Sequence, residues 1–101
     1  MRIISQKGLR YINLPYEEVG ISMQINDVEN TYSIYAFSVT DTGIWQMAKY
    51  SNQKSAIRAL NDMNDAFVEI KKNTDHEGRQ QMYKMEKIWR FPNDGNANDI
   101  R

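Results

Sequence analysis

The spacing of apolar positions changes period once along the chain, and that change divides the expected fold. Val19, Ile21, Met23 and Ile25 alternate with Gly20, Ser22 and Gln24. A period of two marks a half-buried strand. Residues 26–30 form a polar loop. Residues 32–39 follow as a strand rich in aromatic and β-branched side chains. Both its faces are apolar, which places it centrally in a sheet. Thr40-Asp41-Thr42-Gly43 is a hairpin loop, and residues 44–50 return from it. Upstream, residues 2–6 form a short first strand and Lys7-Gly8 a turn. Residues 9–14 form a second strand, which Pro15 stops because proline cannot donate to a ladder.

At Ser51 the period becomes helical. Ala56, Ile57, Leu60, Met63, Phe67 and Ile70 recur at spacings of three and four. The spacing predicts a helix over 52–71, with Ser51 as its N-cap. Lys54 stands where a capping-box acid would be. Arg58 and Asp62, four apart, are suited to a weak pair. The polar stretch 72–78, which ends in Gly78, leaves open whether the helix continues or breaks. A helical reading of 79–89 puts Met82, Met85 and Trp89 on one side. It puts Arg79, Tyr83, Lys87 and Arg90 on the adjacent side. Ile88-Trp89-Arg90-Phe91 reads alternatively as a short strand before Pro92. Residues 93–101 read as a disordered tail. The expectation is one α+β domain over 1–92. It consists of an antiparallel sheet of four to five short strands, with one long or two shorter C-terminal helices packed on one face.

Composition narrows the chemistry. At 101 residues the chain holds one domain. Its 13 basic and 13 acidic residues cancel, whereas proteins that coat DNA carry a basic excess. Without cysteine there are no disulfides, zinc–cysteine sites or thiol nucleophiles. No apolar run approaches the roughly 20 residues of a membrane span. The opening residues carry no apolar stretch long enough for a signal peptide. The expected location is the cytoplasm.

Catalytic constellations are not evident. His76 is the one histidine and lies in a polar segment between Asp75 and Glu77, without a nucleophile setting. Glu17 and Glu18 are adjacent and would point to opposite faces of a strand. Asp62 and Asp65 share a helix face, the ordinary place for solvated acids. The five glycines are scattered and build no phosphate loop. No enzyme, metal or cofactor is expected. Six methionines fill core positions by default, Met63, Met82 and Met85 among them, and a partner-binding groove is the second reading. The sharpest candidate is the stripe Arg79, Tyr83, Lys87 and Arg90 with Trp89 nearby. Residues 71–90 hold six basic and three acidic residues, and Arg, Tyr and Trp dominate binding hot spots. The same stripe suits a nucleotide or nucleic acid.

Four pieces stand in order along the chain. They are Met1-Arg2-Ile3-Ile4-Ser5-Gln6 with Gly8; Leu14-Pro15-Tyr16-Glu17; Met47-Ala48-Lys49-Tyr50-Ser51 leading into a helix with Ala56; and Phe91-Pro92-Asn93-Asp94. This order resembles a family of small proteins encoded by phages and mobile elements of Firmicutes. The opening hexapeptide is the most specific part. The stretch 70–87 is longer than the family's usual link to the terminal Phe-Pro motif. The resemblance supplies no functional residues; it implies an accessory protein in a bacterial cytoplasm.

The expected function is therefore non-enzymatic: binding and blocking a host bacterial protein, such as a component of antiviral defence. The alternatives are an oligomeric sponge for a nucleotide second messenger, a nucleic-acid-binding protein and a purely structural assembly protein. Apolar helix sides left over on a small domain favour a homodimer.

Overall fold

The computed structural model describes residues 1–77 and 87–94, and the side chains of 70–77 lie outside that description. Among the described residues the fold is α+β, with two three-stranded sheets and one helix. β1 (Arg2–Ile4), β2 (Asn13–Pro15) and a last strand, β6 (Ile88–Arg90), form one sheet in the order β2-β1-β6. β3 (Val19–Asn26), β4 (Thr31–Ser38) and β5 (Ile44–Tyr50) form the other as an antiparallel meander. A 3-10 turn, Tyr16–Glu18, joins the sheets. The helix α1 (Gln53–Glu77) packs on β4 and β5.

The expected single antiparallel sheet is corrected here. β1 pairs antiparallel with β2 but parallel with β6, so the chain's two ends share a sheet. The expected helix through 79–89 also gives way at its end, because Ile88–Arg90 is a strand. Its ladder is extended by Arg2 N–H to the Lys87 carbonyl at 2.9 Å and Phe91 N–H to the Ile4 carbonyl at 3.1 Å. A helix at 88–90 would forfeit that pairing and the burial of Phe91, which is fully enclosed. Residues 78–86 and 95–101 lie outside the described residues, and with them most of the proposed second helix and tail. The second strand is also shorter than the expected 9–14. The Ser5 hydroxyl donates to the Arg10 carbonyl at 2.8 Å and accepts from Ile12 N–H at 3.0 Å. A side chain thus supplies part of the bonding that a ladder would otherwise make.

The meander follows the alternation closely. Val19, Ile21, Met23 and Ile25 lie opposite Ser38, Ala36, Ile34 and Tyr32. The register of β4 and β5 slips between Ile34 and Tyr35, which pair with Ala48 and Gln46 and leave Met47 as the extra residue. A bulge re-aims side chains locally, and Met47 and Ala48 are both fully buried. The core joins Ile3, Ile34, Ala36, Met47, Ala48, Tyr50, Ala56, Ala59, Met63 and Phe91. On α1 the inward row is Ala56, Ala59, Leu60, Met63, Ala66 and Phe67, whereas Ile57 turns outward. The helix cap is Asn52 rather than Ser51. Asn52 Oδ1 accepts from the N–H groups of Lys54 at 2.7 Å and Ser55 at 3.3 Å. Ser51 N–H instead donates to Asp94 Oδ2 at 3.2 Å.

Candidate functional site

The motif residues come together, and what they build is a joint. Among the described residues the buried polar ones are Ser5 and Gln6, both from the opening hexapeptide. Gln6 binds two distant segments. Its N–H donates to the Met47 carbonyl at 2.7 Å, and its Oε1 accepts from Lys49 N–H at 3.0 Å. Its Nε2 donates to the Pro92 carbonyl at 3.0 Å. The same carbonyl accepts from the Tyr50 hydroxyl at 2.7 Å. Burial pushes the Tyr50 phenol well above the usual tyrosine range, and the neighbouring Asp94 carboxylate adds to the shift. Gly8 has a φ of 93° in the turn closed by Leu9 N–H to the Gln6 carbonyl. That backbone region favours glycine. Pro15-Tyr16-Glu17 completes the joint: the Met1 amino group meets Glu17 Oε2 at 2.6 Å, and Tyr16 stacks at 4.8 Å against Phe67. These bonds tie β1 to β5 and to the Phe-Pro segment, so the joint's polar groups are consumed by the fold.

Among the described residues, two surfaces stand out as open to a ligand or partner. The first is a groove of about 600 Å³ between the start of α1 and the Phe-Pro segment. Tyr50, Ala59 and Pro92 line it, and Lys54, Arg58 and Asp62 stand along one helical row beside it. Among the described residues neither Lys54 nor Arg58 makes an ion pair, and the expected Arg58–Asp62 pair does not form. The second surface is the outer face of the meander. Phe37 faces Ile44 across the β4–β5 ladder, and Val39 follows Phe37 two residues on. Ile44 is 67% exposed and Val39 65%. Phe37 lies against Gly20, where a Cβ would meet its ring at 2.2 Å. Glycine therefore lets the ring lie down on β3, which fixes its position.

Of the basic and aromatic stripe, Arg79 and Tyr83 lie outside the described residues. Lys87 and Arg90 are exposed, and Trp89 is half-buried, edge-on to Phe91 at 4.8 Å. The strand at 88–90 alternates its side chains and turns Trp89 toward the core. Arg90 also donates to the Ser5 carbonyl at 3.1 Å. The helical spacing that placed Lys87 and Arg90 on one face therefore does not apply there. His76 falls within α1, and its side chain lies outside the described ones. Among the described residues no cluster of three or more His, Cys, Asp or Glu residues is placed to hold a metal ion. Among them, no helix is long and apolar enough to cross a membrane.

Sequence reasoning did not single out the outer-face strip. Its signal was present in residues 32–39, where both faces are apolar. That pattern normally means burial on both sides, but here one side is open. Compared with known proteins, the chain matches no family model, no curated protein and no solved structure.

Proposed function

We propose that this protein is a non-enzymatic accessory protein of a phage or mobile element, which binds and blocks a host bacterial protein in the cytoplasm. The observation that carries this reading is the strip Phe37, Val39 and Ile44. Among the described residues no element packs over it, and Gly20 holds its aromatic member in place. Exposed apolar patches mark interaction sites, and a fixed aromatic is a good anchor because little rotamer freedom is lost on binding. The phage-family resemblance supports the host context. The strip, rather than the basic stripe, is the surface assigned to the partner.

The test is capture from a lysate of a Firmicute host, using the tagged wild type and a Val39→Glu/Ile44→Glu double variant. The expected result is one stoichiometric protein retained by the wild type and lost by the variant. Equal retention by both would overturn the surface assignment, and no stoichiometric partner would overturn the function.

A second reading rests on the groove. Its volume suits a mononucleotide, and Lys54 and Arg58, which make no ion pair among the described residues, offer cations to a phosphate. A nucleotide sponge would release its ligand when the purified protein is denatured, where mass spectrometry would detect it.

A further inference from the structure

Strand edges invite pairing, and folded proteins guard them with short strands, proline, charge, bulges or cover. Among the described residues, three of the four sheet edges are guarded. The β5 edge is occupied by Gln6, through the Met47 carbonyl and Lys49 N–H. The β2 edge is three residues long and ends in Pro15. The β6 edge is also three residues long, with Arg90 in it and Lys87 before it. Among the described residues β3 has none of these devices along its length, with charge only at its flanks, Glu18 and Asp27. It runs eight residues, Val19–Asn26, without charge or proline, and pairs with β4 without a register break. Its inner row is incompletely covered: Val19, Ile21 and Met23 are half-buried and Ile25 is 54% exposed.

We propose that β3 pairs antiparallel with β3 of a second copy, about a two-fold axis at Ser22, to give one continuous six-stranded sheet. Symmetry restricts the register. An axis perpendicular to the sheet keeps both inner faces on the same side, so a residue on the axis faces its own copy and inner residues face inner residues. Centred on Ser22, Ile21 faces Met23 of the second copy, and Val19 faces Ile25. The inner row closes apolar against apolar, and Ile25 is covered. On the outer side, Gly20 faces Gln24.

Matching the apolar row selects the same register. Centring on Met23 would set Val19 against Asp27. Centring on Ile21 would leave Ile25 facing Glu17. With Ser22 on the axis the four apolar residues pair among themselves. Asp27 comes opposite Glu17 beyond the strand ends, and the Met1 amino group at 2.6 Å from Glu17 offsets part of that like-charge repulsion. The pairing adds main-chain hydrogen bonds along the strand, a recurring mode of recognition. It also places both copies of the Phe37–Val39–Ile44 strip on one side of the sheet. It holds whether or not that strip engages a host protein.

The chain has no cysteine, so an introduced one is the sole thiol. Directly opposed residues of antiparallel strands have Cα atoms about 4.5–5.5 Å apart, within disulfide range. Full-length Ser22→Cys should therefore oxidise to a covalent dimer, while Gln24→Cys, which faces Gly20, should not. Light scattering should show a wild-type dimer. Ser22→Lys sets two like charges face to face on the axis and should give a monomer with unchanged circular dichroism and thermal midpoint. A monomeric wild type, or Gln24→Cys cross-linking as fast as Ser22→Cys, would overturn the proposal. A monomer that takes up an extended peptide along β3 would overturn it too, by giving the edge to a foreign strand.

Discussion

The joint around Gln6 and the outer face of the meander treat their side chains in opposite ways. At the joint, Ser5, Gln6, Tyr50 and Pro92 satisfy one another, and Phe91 is fully enclosed beside them. On the outer face, Phe37, Val39 and Ile44 are left to solvent. The four pieces that carry the family resemblance lie at or beside the joint, and the exposed strip lies outside them. Residues that close a sheet between β1 and β6 cannot change without loss of stability. Residues on an open face are free to follow a partner. A motif in a small protein can therefore mark its fastening rather than its active surface.

This contrast can be broken or sharpened by substitution. The largest effect is expected at Phe91, which is fully buried and packed edge-on against Trp89. Phe91→Ala should cost about 3–5 kcal/mol, read by urea unfolding, and a loss under 1 kcal/mol would deny the joint its weight. Gln6→Leu comes next. It keeps the apolar bulk but leaves Lys49 N–H without its partner and takes one donor from the Pro92 carbonyl. The expected loss is about 2 kcal/mol, because a buried orphan donor carries its full desolvation cost.

Tyr50→Phe should cost about 1 kcal/mol at neutral pH, the worth of one ordinary hydrogen bond. It also has a signature in pH. Burial raises the folded phenol's pKa above the unfolded value near 10.0. From about pH 10 upward the unfolded chain sheds a proton that the folded chain keeps, so stability falls as pH rises. The phenylalanine variant should lack that part of the fall, and parallel pH profiles for the two proteins would contradict the assignment. The smallest stability effect belongs to the outer face, where Val39→Glu/Ile44→Glu should stay within about 0.5 kcal/mol per site.

Much of the fold was legible because local signals agreed with tertiary demands. The alternation from Val19 to Ile25 and the helical period after Ser51 each stated one element, and each formed. The terminal segment was harder. Ile88, Trp89 and Arg90 suit a helix or a strand, and what decides between them is a parallel ladder to β1, more than eighty residues away. No local pattern announces such a partner. The division into two sheets was hidden for the same reason. The N-cap was misplaced by one residue because Ser51 and Asn52 are both good caps, and Asp94 claims the Ser51 N–H. The outer-face strip was visible only as apolar residues of a central strand, since sequence does not say which side of such a strand is left uncovered.

The most direct measurement crosses the two regions. Gln6→Leu and Val39→Glu/Ile44→Glu would be carried side by side through thermal unfolding and host-partner capture. The predicted outcome is a lowered thermal midpoint with partner retained, below that midpoint, for Gln6→Leu. For the outer-face variant it is an unchanged midpoint with partner lost. If Gln6→Leu lost the partner while still folded, or the outer-face variant kept it, the division between fastening and binding surface would be wrong.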